Sequence, residues 1–236
     1  MVVLQLWARS CSVRLQSVRC SRRLLCCSAK TVHLVRHGET EMNVRLLQEP
    51  ASQPGWRDPE LFDTALTPRG RSQAASLSAH CSRLQLDLLV ASPLSRALET
   101  ATLAFGTAPG LPRVALPLAA ERVWHASDVG SPPDQLATRF PHFAGLADLP
   151  PVWWAVPHGL PRDARAYALE PEDEFLSRME ALLAWLHARP EQHIALVCHW
   201  GVLEALTGVG FVNCETRTLP LASLRVREAR EALVTL

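Results

Sequence analysis

Leu34-Val35-Arg36-His37-Gly38-Glu39-Thr40 places an arginine, a histidine and a glycine side by side at the end of a short β-rich run that begins at Thr31. In an open α/β sheet the chemistry lies at the carboxyl ends of the strands, so this is where a functional histidine is expected. A histidine there serves as nucleophile, general base, metal ligand or packed residue, and its neighbours choose among these. Arg36 brings a permanent charge on a planar fork that matches phosphate oxygens. Gly38 lets a ligand approach the backbone with no Cβ in the way. Asn43 follows within reach of a short helical turn.

Further along, Asp63-Thr64-Ala65-Leu66-Thr67-Pro68-Arg69-Gly70 leads into Gln73-Ala74. Thr67 is a good N-cap and Pro68 suits the first helical position, so the pattern predicts a helix from about Pro68 to Ser82. The Pro-, Gln- and Asp-rich stretch from Leu46 to Asp63 reads as a loop. Leu86 to Ala91 is an apolar run long enough for a buried strand. Ser92-Pro93-Leu94-Ser95-Arg96 follows, with Thr100 four residues on. A strand, a turn and a helix starting near Ser95 put Arg96 in a first helical turn, where backbone N–H groups favour anions. Val114 to Leu118 reads as a third strand, and Glu121 comes just after it. A long amphipathic helix is expected from Pro171 to Arg189, with Phe175, Met179, Leu182 and Leu186 on one face. His193 to Cys198 is another buried strand, delivering His199-Trp200-Gly201 and then a helix from about Val202. Beyond Gly210 there is no further signature; Ser223 to Arg227 and Leu233 to Leu236 are candidate edge strands.

These motifs, in this order, resemble the histidine phosphatase superfamily, which includes the cofactor-dependent phosphoglycerate mutases. The Arg-His-Gly-Glu-Thr run with its asparagine is the specific part. Ser-Pro-Leu-x-Arg-x-x-x-Thr resembles the second motif, and Cys-His-x-Gly resembles the last, with Trp200 replacing a glycine. The segment after Glu121 departs from the mutases: their His/Tyr-Gly pattern is replaced by Val123-Trp124-His125-Ala126-Ser127-Asp128-Val129-Gly130, closer to plant and fungal phosphoglycerate-mutase-like proteins. The resemblance implies a three-layer α/β sandwich, with a mixed, mainly parallel sheet and helices on both faces. Alternating strands and amphipathic helices point to that class independently. It also implies His37 as the nucleophile forming a phosphohistidine, Glu121 as proton donor and His199 as the second catalytic histidine, with Arg36, Asn43 and Arg96 on the phosphate. Asp128 is the rival donor. Cys198 as a nucleophile competes with His199, but His199 is adjacent to it on a strand and points elsewhere.

The expected reaction is hydrolysis of a phosphomonoester on a small molecule, with no cofactor and no metal. The same residues also fit a mutase, or an inactive phosphate-binding module. The whole chain has 236 residues, 48% hydrophobic and 20% charged, at a net charge of +1. That supports one sizeable core and argues against a general nucleic-acid binder. No apolar stretch approaches the length of a membrane span. Residues 1–30 are Arg-rich and contain serines but no acid, the composition of an organelle transit peptide, mitochondrial or plastid, ahead of a catalytic domain over residues 31–236. The Pro- and Trp-rich stretch at about 130–165 reads as an insertion in that domain. The scattered cysteines give neither a disulfide framework nor a metal spacing.

Overall fold

The computed structural model describes residues 30–156 and 167–227. The leader expected over residues 1–30 therefore lies, Lys30 apart, outside the described residues, as do the last part of the insertion and the candidate strand from Leu233. The chain runs β1 (Thr31–Arg36), α1 (Glu41–Gln48), α2 (Pro68–Ser76), α3 (Ser78–Cys81), β2 (Leu88–Ala91), α4 (Ser95–Phe105), β3 (Arg113–Ala115), α5 (Pro133–Arg139), α6 (Glu172–Ala188), β4 (His193–Cys198), α7 (Trp200–Thr207) and β5 (Thr216–Pro220). The sheet order is β3-β2-β4-β1-β5. All pairs are parallel except β1 with β5.

Alternation along the strands divides the core in two. Val32, Leu34, Leu88, Val90, Ile194, Leu196 and Cys198 face the helices α6 and α7. Val35, Leu89, Ala91, Ala195 and Val197 face α4 and the 129–154 segment. A side-chain period of two makes this separation unavoidable once both faces are covered. Trp153 and Trp154 are buried in the second cluster, with Trp153 Nε1 donating to the Ser131 carbonyl at 3.0 Å. The described part of the insertion thus packs onto the core.

Several expected boundaries move. The helix from Pro68 breaks at Leu77, whose N–H turns to the Ala74 carbonyl, giving α2 and α3. The third strand ends at Ala115 because Pro117, which has no N–H for the ladder, opens a 3-10 turn. Helix α1 extends to Gln48, into the stretch read as loop, and α7 starts at Trp200 rather than Val202. The edge strand is Thr216–Pro220, not Ser223 to Arg227. It pairs antiparallel to β1 with its side chains half exposed, so it shows no apolar alternation to read.

Candidate active site

The register places the site. Arg36 pairs with Cys198 at the carboxyl ends of β1 and β4, and the His37 N–H continues the ladder to the Cys198 carbonyl at 3.0 Å. The next residue on each strand is a histidine, so the two rings meet, with centroids 5.1 Å apart. Both histidines are buried, His199 completely. Burial, then the charges of Arg96 and, for His37, Arg36, hold both imidazoles well below the ordinary histidine range, so both are neutral at pH 7.

Their hydrogen bonds fix the tautomers. His37 Nδ1 lies 2.8 Å from the Gly38 carbonyl, which can only accept, so the proton sits on Nδ1 and the Nε2 lone pair is free. Arg96 Nε, which can only donate, points at His199 Nδ1 at 3.3 Å, so the His199 proton sits on Nε2. That Nε2 is buried without a partner, and so is the Nε of Arg36. The Arg36 fork is anchored by Nη1 on the Phe211 carbonyl at 2.6 Å. Burial draws the Arg36 guanidinium down to about 10, opposed by Glu121, and it stays charged at neutral pH.

Arg96 enters from α4 and is buried. Its fork holds the Ser127 carbonyl (2.6 Å) and Asp128 Oδ1 (2.7 Å). Asp128 Oδ2 accepts from the N–H groups of Trp124 (3.0 Å) and His125 (3.1 Å), so this carboxylate is engaged on both oxygens. The α4 N-terminus was expected to attract an external anion. Asp63 occupies part of it: its Oδ1 takes the Ser95 N–H at 2.8 Å and its Oδ2 the Ser95 hydroxyl at 2.6 Å. Gly38 also serves differently from expectation: a Cβ there would meet the Gly70 carbonyl oxygen at 2.6 Å, so its missing side chain lets α2 pack under the site.

Glu121 closes the other side. Its Oε2 accepts from Gly201 N–H at 3.1 Å and its Oε1 from Arg122 N–H at 2.9 Å. Burial raises its carboxyl to about 7, helped by Asp128 and opposed by these N–H groups and Arg96. Its backbone is held by Arg178 of α6, which the sequence reading missed. Arg178 reaches the carbonyls of Leu118 (3.0 Å), Ala120 (2.7 Å) and Glu121 (3.2 Å) and pairs bidentately with Glu170 (3.0 and 2.7 Å). All five of its N–H groups are used. The available signal was a charged residue three positions after Phe175, within the apolar stripe of α6. Cys198 points into the α6/α7 core, where burial pushes its thiol far above the ordinary range, so it is packing rather than chemistry. His125 lies against Asp58 and Trp56 at the periphery.

The structure therefore gathers His37, His199 and Arg96 in direct contact, with Arg36 and Glu121 electrostatically coupled to them and Asn43 linked to the His37 carbonyl through Asn213. The arrangement offers one free imidazole lone pair, buried donors for an anion, and a carboxyl that titrates near neutrality.

A fold with two histidines at adjacent strand ends and arginines beside them is that of the histidine phosphatases, and the chain belongs to the histidine phosphatase superfamily (branch 1), which it matches over residues 32–228. Phosphoglycerate mutase-like protein 2 of Arabidopsis thaliana is 37% identical over 81 residues, 33% of this chain and 23% of that one. A second Arabidopsis phosphoglycerate mutase-like protein is 36% identical over 81 residues and is matched over 29% of its length. The matches thus span less than a third of these curated relatives. Among solved structures, the alpha-ribazole phosphatase from Shigella flexneri is similar at 26% identity, covering 74% of this chain and 76% of that one, with a TM-score of 0.47. The mycobacterial glucosyl-3-phosphoglycerate phosphatase is similar at 25% identity, covering 86% and 100%, with a TM-score of 0.49.

Proposed function

We propose that this chain is a phosphomonoesterase that hydrolyses a phosphorylated small molecule through a phosphohistidine on His37. The observation that carries this reading is the pair of buried donors without partners, Arg36 Nε and His199 Nε2, beside the free Nε2 lone pair of His37. A buried unpaired donor is costly, and an anion repays that cost at both.

In the first step the His37 Nε2 lone pair attacks phosphorus. The bond from phosphorus to the ester oxygen breaks, its electron pair stays on that oxygen, and protonated Glu121 delivers a proton to the leaving alcohol. In the second step the Glu121 carboxylate takes a proton from water. The water oxygen attacks phosphorus, the P–N bond breaks and the lone pair returns to His37. Arg36, Arg96 and His199 stabilise the equatorial oxygens in both steps. Glu121 is favoured over Asp128 as the acid because burial raises it to about 7 with only two backbone N–H groups on its oxygens, whereas Asp128 is ion-paired to the Arg96 guanidinium besides accepting from two backbone N–H groups.

The test is to quench the protein at alkaline pH during turnover of an alkyl phosphate and to weigh the peptide carrying His37. A phosphoryl adduct there, absent in His37→Ala together with turnover, is the expected result; turnover without the adduct would reject the mechanism. In parallel, Glu121→Gln should lose far more activity on an alkyl phosphate than on nitrophenyl phosphate, and Asp128→Asn should lower both alike. Phosphoryl transfer between hydroxyls of a phosphoglycerate, faster than phosphate release, would assign a mutase instead.

A further inference from the structure

The segment after α7 carries no signature motif, yet it grips the end of β1. Glu215 accepts the Arg36 N–H at 3.2 Å, and the Cys214 N–H reaches the carbonyls of Arg36 (3.1 Å) and His37 (3.3 Å). Cys214 adopts a left-handed backbone with φ of 60°, which a non-glycine residue rarely does, and so brings this N–H inward. The preceding side chain, Asn213, donates through Nδ2 to the His37 carbonyl at 3.0 Å and to Asn43 Oδ1 at 3.2 Å.

The orientations of both amides follow from groups whose roles are fixed. The His37 carbonyl can only accept, so the Asn213 atom facing it is the NH2. The Thr40 N–H can only donate, so the Asn43 atom 3.1 Å from it is the oxygen. Asn43 Oδ1 therefore takes two hydrogen bonds, one from the cap of its own helix and one from Asn213. Its NH2 has no acceptor among the described residues and is left to donate. The Thr40 bond already favours this orientation; the Asn213 bond adds a second, so a turn of the broad two-fold χ2 torsion would cost two hydrogen bonds rather than one.

We infer that Asn213 is a positioning residue: it locks the Asn43 amide so that its NH2, not its oxygen, faces the phosphoryl group. This rests on the phosphatase reading above, since it needs an anion beside His37. The second bond, to the His37 carbonyl, contributes less, because Cys214 N–H also serves that carbonyl.

The experiment is a double-mutant cycle on the full chain with Asn43→Ala, Asn213→Ala and both, reading kcat/KM on nitrophenyl phosphate and the inhibition constant of inorganic phosphate. Each single change should lower kcat/KM by roughly tenfold to a hundredfold and weaken phosphate binding. The double variant should fall within about threefold of the worse single one, because the two act as a unit. Multiplying effects, or Asn213→Ala matching wild type, would overturn the inference. So would a variant whose only change is a lower Tm. Asn213→Ser, whose hydroxyl donates one bond instead of two, should lie between wild type and Asn213→Ala if the latter misfolds; equality with wild type counts against the inference. If wild type itself releases no phosphate, the phosphatase reading fails, and phosphate affinity measured by calorimetry still separates the two asparagines' coupling from its absence.

Discussion

The Nε–H of Arg96 donates to Nδ1 of His199 at 3.3 Å, and this single bond decides which nitrogen of His199 carries its proton. The other nitrogen then carries a buried N–H with no partner among the described residues, free for a phosphoryl oxygen in the proposed reaction. Arg96 thereby acts twice, as a charge and as the setter of a tautomer. Lysine keeps the charge but cannot hold Ser127, Asp128 and His199 together. Arg96→Lys should therefore lower kcat/KM by about 100-fold or more. The ¹⁵N shifts of His199 should change from the Nε2–H pattern in wild type to a mixture of tautomers in the variant. An unchanged spectrum would mean that something other than Arg96 fixes the ring.

Glu121 predicts the pH dependence. Burial raises its pKa to about 7, so the protonated form needed to donate is abundant below that value and lost above it. His37 must be neutral to attack, and its depressed pKa keeps it so well below its ordinary value of 6.5. The rate with an alkyl phosphate should thus be level at mildly acidic pH, fall to about half near pH 7 and drop about tenfold per unit well above it. Glu121→Gln should erase that fall, which a steady-state profile of both proteins would show.

Gly201 is predicted to tolerate no side chain. A Cβ there would stand 2.5 Å from Glu121 Oε1, and the same residue supplies the N–H held by Oε2. Gly201→Ala should displace the carboxyl from the leaving group and cost about 100-fold in kcat on an alkyl phosphate. Nitrophenyl phosphate, which needs less protonation, should suffer much less, and the melting temperature should change little, since the perturbed atom is a side-chain oxygen. Equal losses on both substrates would contradict this.

Arg178 and Glu170 form the pair that fixes the Glu121 backbone. Arg178→Met leaves Glu170, which is nearly inaccessible, without its partner, and removal of one member of a buried pair costs about 3–5 kcal/mol. Chemical denaturation should show a loss of that order. Arg178→Lys should be milder in stability, yet still steepen the dependence of rate on leaving group, because one ammonium cannot hold three carbonyls and a carboxylate. Loss of stability with no change in that dependence would make the pair a folding element alone.

Legibility followed the range of each interaction. His37, Arg96 and His199 stand beside strand and helix boundaries that local pattern marks, so the α/β class and these candidate residues could be read in advance. Asn213, Glu170 and Arg178 have no local mark beyond one charge in an apolar stripe. Their roles come from partners far along the chain, such as Asn43 for Asn213, 170 positions away. The edge strand Thr216–Pro220 escaped for a related reason: half exposed, it gains its identity from pairing with β1 rather than from its own pattern.

The sequence by itself determined the class of fold and named the candidate residues that the structure brings together, because turn chemistry, apolar periodicity and motif order are local properties that survive without coordinates. Tertiary structure alone decided which nitrogen of each histidine is free, that Asp63 takes the Ser95 N–H at the helix terminus beside Arg96, and that Gly38 makes room for Gly70. It also gave Glu121, the expected donor, and Asp128, its rival, different surroundings. Burial, helped by the charge of Asp128, raised Glu121 to a pKa of about 7 against two backbone N–H groups, while an arginine and two backbone N–H groups engaged Asp128. Desolvation and hydrogen-bond geometry are properties of what surrounds a side chain, and those surroundings come into being only when distant segments pack together.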